Sequence, residues 1–232
     1  MKSTAVIWYF DRQLHETYDK KYMDMETGTK VAILNRAKDI FYNKIISNRS
    51  KNPSFDLWLR PLEVDDYDLK LIKSLKEYDL YGYPERFGVA TTSRIYTTKE
   101  KCTANFTPTP IMDSSSYDAI NNSMWEPSFE FEQTFRTSDS KGIKIWHKSD
   151  FKIDRAVMSY LKTIPDIHSA GLVRNGNGGY VYIDGTKITK DVDLEIGEGG
   201  YDPLVNIAVL MVEDNGQDLS LQINKILNIK SI

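Results

Sequence analysis

The sequence predicts an α+β protein: a helical bundle made of N-terminal helices plus a long C-terminal helix, with an inserted β-rich lobe. Three observations lead there. Apolar residues recur at helical spacing over 29–47 and again over 204–227. The chain between them is rich in Thr, Ser, aromatic and β-branched residues, and parts of it alternate apolar with polar. An Asp-Gly pair, Asp184-Gly185, separates two β-prone runs in that region. The expected division is a helical body from residues 1–80 and 201–232, and a β-rich lobe from 81–200.

The first helix is expected over 4–18, with Ala5, Trp8, Tyr9 and Tyr18 on one face. The second runs over 29–47. Val31, Leu34, Phe41 and Ile45 form its apolar stripe, Thr29 can cap it and Asn48 closes it. Asn52-Pro53-Ser54 breaks the chain, and the short apolar run Phe55 to Leu59 ends at Pro61. A third helix is expected over 65–78. Asp65 and Asp66 suit its N-terminus, and Leu69, Ile72 and Leu75 repeat at spacing three.

Gly82-Tyr83-Pro84 marks the change to β structure. Val89 to Thr97 reads as a strand, and Pro108, Pro110 and the run Asp113 to Ser116 as a loop. Phe129, Phe131 and Phe135 alternate with Glu130, Glu132 and Arg136. Ile143 and Ile145 resume the alternation after the turn residues 137–142, which predicts a hairpin. Tyr180 to Ile183 and Thr186 to Ile188 flank the Asp-Gly turn, whose central residues need positive φ. After Gly199-Gly200, Asp202 can cap and Pro203 can open a terminal helix. Leu204, Ile207, Ala208 and Met211, then Leu219, Ile223, Ile226 and Leu227, give it an apolar stripe. It is expected to pack on the N-terminal helices, as one long helix or as two broken near Gly216.

The 232 residues are enough for a real core, and 41% hydrophobic with 27% charged is the balance of a folded chain. No apolar run approaches the roughly 18 residues that span a bilayer. The N-terminal patch turns charged at Asp11 without a cleavage site, so no signal peptide is expected. The net charge of -3 offers no basic track for phosphates. One cysteine, Cys102, excludes an internal disulfide and fits a reducing compartment.

His15, His147 and His168 lie far apart, form no spaced metal motif, and read as surface or edge histidines. Cys102, in Lys-Glu-Lys-Cys-Thr, has no nucleophile signature around it. Asp191, Asp193 and Glu195 alternate in DVDLE. They could share a strand face, but a solvent-facing strand or loop explains them, and the EF-hand spacing fails. The glycines of NGNGG and GEGG match no phosphate-binding loop and read as turns. Trp125 and Trp146 read as core or interface residues. No catalytic residue, cofactor site or metal site is therefore expected.

The stretch from Phe129 to the C-terminus carries a resemblance. It contains FEFEQTFRTSDSKGIKIWHKSDFKIDRAVMSYLKTIPDIHSAG, YVYIDG, DVDLE and YDPLVNIAVLMVEDNGQDLSLQINKIL. It resembles the head-to-tail connector ring (adaptor) proteins of tailed bacteriophages, nearest to those of crAss-like podoviruses. That family shows a charged hairpin, a strand exit of the type Tyr-x-Lys-x-Pro, an acidic segment, and a closing amphipathic helix with an Ile-Ala-Val core. Here the exit reads Tyr160-Leu161-Lys162-Thr163-Ile164-Pro165, one residue longer than the pattern, and the helix core reads Ile207-Ala208-Val209. The expected helices over 31–48 and 65–78 match the family's helical part, while 81–125 has no counterpart. The resemblance implies a structural virion protein in a homomeric ring of about twelve copies. Its partners would be the portal and other connector or tail proteins. Genomic DNA would pass through without sequence-specific binding, and no membrane would be involved. It implies assembly in the host cytoplasm and residence in the virion. The aromatic content leaves an alternative, a phage tail or surface module recognising host glycan or protein.

Overall fold

A computed structural model describes residues 1–18, 25–111, 126–168, 190–212 and 219–229. The expected Tyr180–Ile188 hairpin, the NGNGG loop, the Asp113–Ser116 loop and Trp125 lie outside the described residues. The fold is mixed α/β, with nine strands in two sheets and five helices among the described residues. This corrects the expected helical bundle with its long C-terminal helix. The C-terminal part holds two short helices of 12 and 8 residues.

The chain forms two compact units, one from Met1–Leu62 and Thr163–Ile232, the other from Glu63–Lys162. The second is a single insertion in the first, with borders at 62/63 and 162/163, where 80/81 and 200/201 had been expected.

The first unit contains α1 (Ser3–Thr17), α2 (Thr27–Ser47), α3 (Ser54–Leu59), α4 (Tyr201–Val212) and α5 (Leu219–Ile226). In α1 the buried apolar residues are Val6, Ile7, Phe10 and Leu14, so the face is not the expected one: Trp8 is 63% exposed. In α2 the expected stripe is the buried one, Val31, Leu34, Phe41 and Ile45. Asn48 closes the helix, its side-chain amide donating to the Lys44 carbonyl at 2.9 Å. The N-cap is Glu26 rather than Thr29, and it makes no side-chain cap. Helix α4 buries Leu204, Val205, Ile207, Ala208 and Val209 because it packs against both α1 and α2. A helix covered on two sides reads apolar nearly all round.

The second unit holds nine strands: β1 (Glu63–Asp68), β2 (Leu71–Ser74), β3 (Tyr78–Tyr81), β4 (Phe87–Lys99), β5 (Cys102–Phe106), β6 (Thr109–Pro110), β7 (Phe135–Asp139), β8 (Gly142–Trp146) and β9 (Lys152–Lys162). One sheet has the order β1-β9-β4-β5 and the other β2-β3-β8-β7-β6. All pairings are antiparallel except β6 with β7. The sheets share one core: Tyr81, Ile143 and Ile145 from one meet Ile95, Phe106, Met158 and Tyr160 from the other. Bulges interrupt β1–β9 and β4–β9, and Asp66 sits at the first with φ 49°. Such irregularities bend strands around a shared core.

The expected helix over 65–78 is absent, and β1, β2 and the start of β3 occupy that segment. Leu69 is buried, whereas Leu71 and Ile72 are 54% and 59% exposed. The stripe at spacing three never assembles, because β1 pairs with β9 almost a hundred residues downstream. The hairpin of Phe135 with Ile143 and Ile145 exists as β7–β8, but Phe129 and Phe131 belong to a tight turn before it. Gly142 opens β8 with φ 146°, and an added Cβ would fall 2.2 Å from the Tyr81 carbonyl oxygen. Only glycine fits there.

Candidate functional site

The densest group of chemistry-bearing side chains surrounds Asp79 in the second unit. The pairing of β3 with β8 places Asp79 opposite Ile145, beside the turn that begins at His147. Asp79 is 4% exposed and His147 7%, so His147 is a buried residue, not the expected surface one. The carboxylate accepts hydrogen bonds from the Ser74 hydroxyl at 2.5 Å and the Tyr81 hydroxyl at 3.4 Å. His147 Nε2 lies 3.4 Å from the same carboxylate. His147 Nδ1 accepts the Ser149 backbone N–H at 3.1 Å. Burial pushes the Asp79 carboxyl up, but hydrogen bonds from His147 and Ser74 outweigh it and hold it below its ordinary value. The Tyr81 hydroxyl is raised by burial and by Asp79.

Ser, His and Asp together invite a nucleophilic reading, but the connectivity differs. A catalytic serine donates to the histidine, which donates to the carboxylate. Here both Ser74 and His147 address the carboxylate, and the second histidine nitrogen is taken by a backbone N–H. The arrangement ties the β2–β3 hairpin to the 147–149 turn. Backbone bonds at 2.9 Å from His147 and Lys148 to the Glu77 carbonyl, and one from the Ser149 hydroxyl to the Lys76 carbonyl, do the same.

The acidic DVDLE segment fastens the start of α1. Asp191 accepts the Thr4 backbone N–H at 3.1 Å, in the manner of a helix cap. The Val192 carbonyl takes the Ser3 N–H at 2.8 Å, and Asp193 takes the Met1 amino group at 3.1 Å. Asp193 is held below its ordinary value, first by the Glu195 backbone N–H and then by that amino group. The glycines of GEGG follow. An added Cβ on Gly197 would lie 2.1 Å from the Leu57 carbonyl oxygen, and its N–H donates to the Trp58 carbonyl at 2.9 Å. Trp58 in turn stacks on Phe41 at 5.9 Å.

The remaining histidines and the cysteine are not brought together. His15 is exposed in the last turn of α1, and Cys102 is exposed at the start of β5. His168 is 6% exposed, against the expectation of a surface position. Burial pushes its imidazole below the ordinary value, opposed by Asp166 and Asp191. Its segment is clamped to α2: Asn35 exchanges two hydrogen bonds with the Ile167 backbone at 2.7 and 3.0 Å, and buried Lys38 reaches Asp166 at 2.5 Å. Trp146 is buried, and its indole donates to Thr137 at 3.2 Å. Arg136 on β7 has a buried guanidinium nitrogen with no hydrogen-bond partner among the described residues, and burial lowers its pKa.

Among the described residues, no group of three or more His, Cys, Asp or Glu is placed to hold a metal ion, and no helix is long and apolar enough to cross a membrane. The exposed feature that sequence reasoning missed is Phe131, 79% exposed at the tip of the 128–133 turn. The alternation of Phe129 and Phe131 with Glu130 and Glu132 gave no local sign of this, because it fits a strand equally well. No protein-family model matches the chain, and no curated protein matches it.

Proposed function

We propose that this protein is a structural subunit that self-associates into a ring in the head-to-tail connector of a tailed phage. In that role it contacts the portal and other connector or tail proteins and surrounds the path of the genomic DNA. One observation carries the reading. The clustered polar groups of the fold are committed to bonds that tie its elements together, while apolar side chains stand exposed on the same unit. Asp79, Ser74 and His147 pin a hairpin, and Asp191 and Asp193 pin α1. On the outside stand Phe131 and the outer strand β2 with Leu71 and Ile72. A net charge of -3 suits a conduit that DNA slides past without sticking. The connector placement rests on the resemblance of residues 129–232.

Negative-stain imaging of the purified protein, alone and mixed with portal complexes, tests this. Annular particles, or an added ring on the portal, are the expected result. Unbound monomers in both samples would overturn the proposal.

A further inference from the structure

Phe131 is presented rather than merely exposed. Ser128 and Gln133 exchange two backbone hydrogen bonds of 2.9 Å, closing a four-residue tip. Phe129 turns inward onto Phe106, with ring centroids 5.6 Å apart. Its N–H donates to Asp150 at 2.7 Å. Lys99 bridges Asp150 at 2.6 Å and Glu130 at 2.7 Å. The tip is therefore held from both sides, and Phe131 projects from it between Glu130 and Glu132. An aromatic ring on a fixed loop loses little freedom on binding, the usual property of an interface anchor.

A complementary surface lies elsewhere in the same unit. Strand β2 is the outer strand of its sheet, and Leu71 and Ile72 on it are 54% and 59% exposed. Lys70 and Lys73 beside them are also exposed. Strand β2 is short and carries Lys73, so it resists open-ended strand pairing and offers the side chain of Ile72 as its apolar contact. The knob is apolar with acidic flanks, and the strand is apolar with basic flanks.

We infer that Phe131 of one copy seats on Ile72 of the next, with Glu132 facing the Lys70 and Lys73 side of β2. The two surfaces are unlike, so the contact is head-to-tail and repeats around a ring. This inference rests on the ring reading and names its contact. A phenylalanine buries at most about 250 Å², so it anchors a larger interface.

Sedimentation velocity of the full chain across a concentration series tests it. Phe131→Ala is expected to weaken self-association at least about tenfold while circular dichroism stays unchanged. Glu132→Lys and Lys73→Glu should each weaken it, and the two together in one chain should restore it. Mixing Phe131→Ala with Ile72→Ser should give 1:1 heterodimers and nothing larger, because one intact knob meets one intact strand. If wild type assembles and these variants assemble equally well, the contact is wrong and the ring reading stands. If wild type stays monomeric at every concentration, both fall.

Discussion

Replacing Asp79 by alanine removes the acceptor at the centre of the buried polar group. Ser74 is exposed and recovers a water partner. His147 and Tyr81 are buried at 7% and 4% exposure and recover none. An orphaned buried donor costs about 1–3 kcal/mol. Both contacts are long, 3.4 Å, which places each at the low end and the sum at about 2–3 kcal/mol. Urea unfolding at pH 7, followed by tryptophan emission, reads this directly. The pH dependence separates charge from shape. The folded pKa of Asp79 is depressed, so its charge stabilises the fold above the unfolded value of about 3.9. That contribution is lost as pH falls through the lower folded value. Asp79→Asn keeps the shape and removes the charge, so its deficit of about 1 kcal/mol at pH 7 should close as the pH drops below about 4. An Asp79→Ala protein within about 0.5 kcal/mol of wild type, or an Asp79→Asn deficit that stays constant down to pH 2, would refute the structural role assigned to this group.

Other substitutions probe the remaining ties. Gly197→Ala forces a Cβ against the Leu57 backbone and breaks the bond to Trp58, so equilibrium unfolding should show a loss of about 2–4 kcal/mol; a neutral variant would contradict the packing. Asp191→Ala removes the acceptor for the Thr4 N–H and should cost about 0.5–2 kcal/mol, with faster hydrogen exchange in the first turn of α1. Arg136→Met removes a half-buried cation, one of whose nitrogens has no partner among the described residues, and should leave stability unchanged or raise it by about 1 kcal/mol; a large loss would mean that the guanidinium has a partner. His168 has a depressed folded pKa, so the unfolded chain takes up a proton first. Stability should therefore fall as the pH drops below about 6.5, and His168→Gln should flatten that slope.

Local pattern made α2 legible, because its stripe of Val31, Leu34, Phe41 and Ile45 is the face it buries. Strand β4 and the β7–β8 hairpin were legible for the same reason, since alternation and turn residues act over a few positions. Residues 65–78 were not. Leu69, Ile72 and Leu75 fit a helix locally, and what overrides them is the pairing of Glu63 with Leu161 and Tyr67 with Met158. The face of α1 was misread because Trp8 and Tyr9 looked more apolar than they prove to be buried. The group around Asp79 was illegible for a related reason. Its partner His147 lies 68 positions away and arrives only through the register of β3 on β8. The DVDLE carboxylates meet α1 across 187 positions, so spacing within the segment held no sign of their role. Phe131 was visible as a residue but assigned to a strand face, because the period-two rule does not distinguish a strand from a tight turn with alternating side chains.

The ring proposed above requires that copies of this chain close on one another. Native mass spectrometry of the purified protein tests it most directly. One dominant species at a fixed multiple of the 26.7 kDa protomer is expected, and the resemblance of residues 129–232 puts that multiple at about twelve. A monomer at all concentrations, or an open-ended ladder with no preferred size, would contradict it.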